Sequence, residues 1–327
     1  MALVLAGVAA CSSPTDEARA VVLRYLGAIA AGDPERARAL EAPGVEPENA
    51  WGVDHGPIDG LVPEAMAGAT SIGDVEIIDS GEGPGRDEAW VRVSYRLAGA
   101  EHTDVLEVAV GDQGTWRLTD TLASVQQVRT AAPGADLVPV GEFAFSVGDL
   151  RATTSAGAPT MTETATAITL YPGTYAIAPE SGSLLAGEAS EQTVASGGDT
   201  DPGTILLGLE ATDALGRAIA DEMGHWLSDC VGLSRNYDYV VHEVCRFGPA
   251  GVQDVPVGYA VVRAPQTVTI RSGGGAPGIV TASLTAAVRA VHDGGEEILD
   301  LTGQARIELR SVDEFVLLED DEGTAWF

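Results

Sequence analysis

No lysine occurs anywhere in this sequence of 327 residues. Its 18 cationic side chains are all arginines, they face 49 Asp and Glu, and the formal net charge is −31. Without lysine there is no Walker-type phosphate loop, whose glycine-rich turn needs an ammonium group beside it. A field this negative also repels phosphate backbones and anionic lipid, which excludes nucleic acid as a partner. Aromatic residues are scarce at 5%, so the cores have to be built mainly from Val, Leu, Ile and Ala, and cysteine is limited to three residues. Glycine, by contrast, is abundant at 40 residues, and the 45% hydrophobic content rules out a wholly disordered polymer. Many turns between short strands predict a β-rich protein of two or three domains.

The apolar run Ala2 to Ala10 is far too short to span a bilayer, which takes about 20 residues. It has the character of the apolar region of an export signal, and it runs straight into Cys11, Ser12, Ser13 and Pro14. Val8-Ala9-Ala10-Cys11 resembles the bacterial lipobox. The resemblance implies that residues 1–11 are a lipoprotein signal peptide ending at Cys11, which is diacylated on sulfur and becomes the mature N-terminus. No Lys or Arg precedes Cys11, although an export signal opens with positive charge, so a start codon further upstream is expected. The competing reading is a buried apolar strand with an incidental cysteine. Two acyl chains supply the two-signal anchoring that one chain cannot, which predicts a lipid-anchored protein on the extracytoplasmic face of the cell membrane.

Residues 12–130 are expected to form an α+β domain. Thr15 is the expected N-cap of a first helix, with Asp16 and Glu17 complementing its dipole and Val21, Val22, Tyr25, Leu26 and Ile29 along one face. Gly32 ends it, and Asp33 with Pro34 starts a second helix running to about Leu40. A loop from Pro43 to Pro63 and a short helix around Glu64 to Ala69 follow. Four strands are then expected at Ile72–Asp79, Ala89–Leu97, His102–Val110 and Thr115–Thr119. In the second of these Val91, Val93, Tyr95 and Leu97 alternate with Trp90, Arg92, Ser94 and Arg96, giving one dry and one wet face.

The Tyr25-Leu26 helix ending in Ala31-Gly32-Asp33, the strand Trp90-Val91-Arg92-Val93-Ser94-Tyr95 and the closing Gly114-Thr115-Trp116-Arg117-Leu118 together resemble the NTF2-like cone. The similarity is to the small versions carried by actinobacterial lipoproteins. It implies helices laid on a curved antiparallel sheet, and a cone in which NTF2-like enzymes place proton-transfer groups.

Thr130 to Pro139 has the composition of a linker. Residues 131–204 are expected to form a small β-sandwich-like module, in which Phe143, Phe145 and Val147 alternate and Ile168 and Leu170 lead into Tyr171-Pro172-Gly173-Thr174-Tyr175. Pro followed by Gly suits a type II turn and predicts a tight chain reversal; the turn is similar to those of extracellular modules resembling carboxypeptidase regulatory or PEGA-type domains. Residues 205–327 are expected to form a helix-plus-antiparallel-sheet domain. Its helix starts at Thr212, carries Leu215, Ile219, Met223, Trp226 and Leu227 on one face and ends at Cys230. Strands follow at Tyr237–Val244, Val255–Val262, Thr267–Arg271, Ile279–Val291, Ile298–Leu309 and Val312–Leu318.

With Cys11 assigned to lipid, Cys230 and Cys245 are an even pair and predict a disulfide in an exported protein. The competing arrangement is a zinc site joining them to His225 and His242. Glu222, His225, His242 and Glu243 do not reach the His-Glu-x-x-His spacing of a metalloprotease. The acidic clusters at Asp199/Asp201 and Glu319 to Glu322 lack the ordered spacing of a calcium loop, so no metal or cofactor is expected. Proton-transfer chemistry in the cone would draw on Asp54, His55, Asp59 and His102, with a solvated loop as the plainer reading of the first two. These observations predict a membrane-anchored extracytoplasmic lipoprotein with a binding or scaffolding role in the cell envelope and no catalysis. Its partner is an envelope protein or a small ligand. The alternative is a small-molecule binder or isomerase-like enzyme using the cone, which requires a polar-lined cavity rather than one filled by Leu and Val.

Overall fold

A computed structural model describes residues 13–47, 57–111, 113–130, 143–154, 166–196, 203–233, 258–272, 279–292, 294–318 and 325–326. The protein is α+β and mostly β, and its buried apolar residues gather in two cores. Helix α1 (Pro14–Ala30) is capped by Ser13, not by Thr15. Ser13 Oγ accepts from the Asp16 amide at 3.2 Å while the Asp16 carboxylate takes the Ser13 N–H and hydroxyl, so two orphan donors are satisfied reciprocally. Thr15 has Ala18 three residues on and cannot close such a box. Gly32, at φ +68°, ends the helix, and the Asp33 carboxylate caps α2 (Pro34–Arg38) by accepting from the Arg36 amide at 3.0 Å. The chain leaves α2 before Leu40 because Leu40 to Ala42 are drawn into pairing with a strand.

Among the described residues, three short elements follow α2: β1 (Ile58–Asp59), α3 (Pro63–Met66) and β2 (Thr70–Ser71). Then β3 (Gly73–Glu82), β4 (Glu88–Leu97), β5 (Ala100–Val110) and β6 (Trp116–Leu118) form an antiparallel meander in that order. Val91, Val93, Tyr95, Leu97, Leu106 and Val108 are buried in one cluster with the Val21, Val22, Leu26 and Ile29 face of α1. Leu40 to Ala42 run along β6. The Leu118 amide donates to the Leu40 carbonyl at 2.9 Å, and the Ala42 amide to the Leu118 carbonyl at 2.7 Å.

Beyond the meander come β7 (Ser124–Thr130), β8 (Phe143–Val147), β9 (Leu150–Thr154), β10 (Thr166–Leu170), β11 (Gly173–Pro179), β12 (Leu185–Ala186), β13 (Ser190–Val194) and β14 (Thr204–Leu207). One sheet has the order β1-β10-β7-β14; another has β13-β11-β8-β9, with β2 also on β11. The expected reversal at Pro172-Gly173 is a corner between sheets, since β10 and β11 belong to different ones. Gly173 also lacks the positive φ that a type II turn needs there. The Tyr175 hydroxyl braces the corner by donating to the Tyr171 carbonyl at 2.7 Å.

Residues on both sides of the expected boundary at 130 share the first core, from Ala18 of α1 to Leu207 of β14. Besides the strand pairs of β1 and β2, α3 meets the β8–β9 turn. The Asp149 amide donates to the Glu64 carbonyl at 2.8 Å, and a Cβ at Gly148 would come within 2.7 Å of the Glu64 and Ala65 carbonyls, so only glycine fits.

The second core is built by α4 (Asp213–Leu233), which follows β15 (Glu210–Ala211), and by β16 (Gly258–Ser272), β17 (Ile279–His292), β18 (Gly295–Leu309) and β19 (Phe315–Leu317), with β20 (Ala325–Trp326) paired to β18. Thr212 caps α4 by accepting from the Ala214 amide at 3.2 Å and donates to the Ser183 carbonyl at 2.7 Å. Leu215, Ile219, Met223 and Leu227 are fully buried as their spacing predicts, in one cluster with the inward row of β17 from Val280 to Ala290, and α4 is tied to β16 by Thr267 Oγ1, which donates to the Gly216 carbonyl at 2.7 Å. Where two strands are expected, β16 is continuous; register shifts between Val261 and Thr269 absorb Pro265.

Candidate functional site

Polar side chains interrupt the first core in several places, and two clusters of them join the meander to the sheets beyond it. The first centres on Glu41, a carboxylate 6% exposed. Its backbone is fixed by the pairing to Leu118 and by Arg117, whose Nη1 donates to the Ala39 and Glu41 carbonyls at 2.7 and 3.1 Å. Its Oε1 accepts three hydroxyl hydrogen bonds, from Thr121 at 2.7 Å, Tyr25 at 3.0 Å and Tyr171 at 3.1 Å. The Tyr25 oxygen in turn accepts from the Leu122 amide at 2.9 Å, and the Tyr25 and Tyr171 rings meet edge to face at 6.1 Å. Burial pushes both phenols well above their ordinary pKa, and the Glu41 charge pushes them further. Both therefore stay protonated as donors, and their hydroxyl dipoles point at the buried Glu41 carboxyl group.

The second cluster lies further along the inner face. The Asp104 carboxylate on β5 accepts from the Tyr95 hydroxyl of β4 at 2.9 Å and from the Ser196 hydroxyl at 2.6 Å, and Tyr95 and Ser196 are themselves 2.9 Å apart. His102, directly opposite Tyr95 in the β4–β5 ladder, stacks on its ring at 5.5 Å. Burial raises the Tyr95 phenol, and the Asp104 charge adds to the shift. Of the residues expected to line a cone, His102 is therefore engaged in a cross-strand stack. Asp59 lies elsewhere, on β1, about half exposed, with Arg38 donating to Oδ2 at 2.9 Å and the Leu61 amide to Oδ1 at 3.0 Å. Asp54 and His55 lie outside the described residues.

Cys230, 3% exposed at the end of the apolar face of α4, is disulfide-bonded. That takes its thiolate out of the zinc arrangement considered with His225. Its expected partner Cys245, the lipobox Cys11, His242, Asp199, Asp201 and Glu319 to Glu322 lie outside the described residues. Among the described residues there is no group of His, Cys, Asp and Glu able to hold a metal ion, and no helix long and apolar enough to cross a membrane.

Glu41, Thr121, Asp104 and Ser196 have no distinguishing mark in the sequence. Tyr25 and Tyr95 are legible there as buried positions, but not as hydrogen-bond donors. No protein-family model, curated protein or solved structure matches this chain.

Proposed function

We propose that the chain is a lipid-anchored protein of the extracytoplasmic face of the cell membrane, held there through Cys11. Its folded body acts as a binding or scaffolding module of the cell envelope, not as a catalyst. The N-terminal unit is read as an NTF2-like cone and the sheets after it as a small sandwich-like module. The packing of the first core carries this reading. Val91, Val93, Leu97, Leu106 and Val108 line the inner face of the meander, and each is at most 1% exposed against the apolar side of α1. Side chains packed in this way favour a binding or scaffolding role over one in which the cone surrounds a substrate. At its polar end, Ser196 already occupies the Asp104 carboxylate that an acid–base mechanism would use.

The disulfide at Cys230 supports the address, because such bonds persist in oxidising compartments outside the cytosol. The charge of −31 supports an anchor that is covalent, since this surface has no attraction of its own for anionic lipid. Protease shaving of intact, outer-layer-permeabilised cells, followed by fractionation, tests the reading. The full-length chain is expected in the membrane pellet and is removed by protease, and Cys11→Ser moves it to the soluble fraction. A protease-protected chain in the cytosol contradicts it.

A further inference from the structure

The anchoring reading and the fold together fix an orientation. Only Ser12 stands between Cys11 and Ser13, and Ser13 already belongs to the capping box of α1. Two residue steps span at most about 7 Å, so the first turn of α1 has to lie at the height of the lipid headgroups. The surrounding elements identify what lies beside that turn. The indole Nε1 of Trp116 donates to Glu17 at 2.9 Å, which sets the start of β6 against the start of α1. The connection leading into β6 is closed by the Gly111 amide on the Thr115 carbonyl at 2.9 Å. The β3–β4 turn is closed by the Gly83 amide on the Glu88 carbonyl at 2.8 Å, and the Val110 amide ties the two turns by donating to the Asp87 carbonyl at 2.9 Å. Ser13, Pro14, Pro84, Arg86 and Gln113 are exposed along this rim.

Of the clusters that join the meander to the sheets beyond it, that of Tyr95 and Asp104 lies towards the opposite end, and that of Glu41 lies between, beside Leu118. Tyr25 is twelve residues along α1 from Ser13, about 18 Å at the helical rise. Tyr95 is five residues along β4 from Trp90, about 17 Å at the strand rise. We propose that the anchored protein rests end-on on the outer leaflet through the rim formed by the first turn of α1, the β3–β4 turn and the β5–β6 turn, with the sheets of β7 to β14 carried away from the lipid. The partner is the headgroup layer. Trp116, packed against the first core and bonded to Glu17, holds the two turns in place beside the tether. Asp16, Glu17 and Asp87 deny the rim any strong attraction for it, so the short tether supplies the contact.

This inference rests on acylation of Cys11, and its test separates the two. The acylated full chain is reconstituted in phosphatidylethanolamine/phosphatidylglycerol vesicles carrying a headgroup-attached nitroxide quencher. A fluorophore is placed at Gln113→Cys on the rim or at Glu101→Cys near the far end of β5. Both labelled chains are made again with a Gly/Ser segment of about 20 residues inserted between Ser12 and Ser13, whose reach of roughly 25 Å frees the body from the surface. The expected result is severalfold stronger quenching at position 113 than at 101, falling to the level of 101 with the insertion. Equal quenching at both positions, or quenching at 113 that survives the insertion, overturns the orientation while leaving the anchor intact. A native chain that carries no acyl group and does not float with the vesicles overturns the anchoring reading, and the orientation with it.

Discussion

Tyr171 and Glu41 stand 130 positions apart, and the phenol of one donates to the carboxylate of the other at 3.1 Å inside the first core. The bond reaches from the corner between β10 and β11 to the segment that runs along β6. It ties elements that composition alone assigns to separate units. Replacing Glu41 by Leu strips the acceptor from three hydroxyls at once. At about 1–3 kcal/mol for each buried donor left unmade, a loss of roughly 3 kcal/mol or more is expected in urea unfolding of the lipid-free chain. Glu41→Gln keeps one acceptor oxygen and is expected to cost less. Equal, negligible losses in both variants would contradict the role of the cluster.

A chain cut after Thr130 loses Tyr171, Ser196 and the apolar side chains of β8, β10, β11 and β14 that complete the first core. The fragment 13–130 is therefore expected to lack a cooperative unfolding transition, whereas 13–207 retains one. Calorimetry of the two fragments decides it, and a sharp transition in the shorter one counts against a shared core.

Alkaline pH acts on the same clusters. Burial raises the phenols of Tyr25, Tyr95, Tyr171 and Tyr175 in the folded state, with the Glu41 and Asp104 charges adding to the shift at the first three. A group whose folded pKa is raised contributes its full stability below the unfolded value, near 10, and loses it as pH climbs towards the folded one. Each such tyrosine is expected to remove about 1.4 kcal/mol of stability per pH unit above roughly pH 10. The ultraviolet absorbance of the phenolates follows the event. These four are expected to ionise only as the chain unfolds, and Tyr171→Phe is expected to move the onset upward. Smooth ionisation of all seven tyrosines in a folded chain would be the contrary outcome.

The bond at Cys230 pins the buried end of α4. If Cys245 is its partner, the closed loop has about 16 residues and the chain-entropy contribution is roughly 3 kcal/mol. Cys230→Ser and Cys245→Ser are expected to destabilise the second core equally, with no further loss in the double variant. Additive losses would show that the two cysteines are not joined.

Local chemistry made much of the scaffold legible. The apolar face of α1, the Gly32-Asp33 break, the meander and the buried face of α4 all follow from periodicity and capping within a few residues of sequence. The corner at Pro172-Gly173 does not, because Pro-Gly states only that the chain bends; which sheet receives each arm depends on β7 and β13, far along the chain. The clusters were illegible for a related reason. Among 49 acidic residues, Glu41 is set apart only by partners 16, 80 and 130 positions away. His102 stands out in the sequence by its type, yet its cross-strand neighbour Tyr95 is the residue that bonds Asp104 and Ser196.

The anchored, extracytoplasmic character of the protein is tested most directly by intact mass of the chain extracted with detergent from native membranes. The expected species begins at Cys11, carries the added mass of its acyl chains, and is lighter by two hydrogens than the fully reduced chain, with no thiol labelled until reductant is added. A chain recovered from the soluble fraction with an unmodified Cys11 and all three cysteines open to labelling would contradict it.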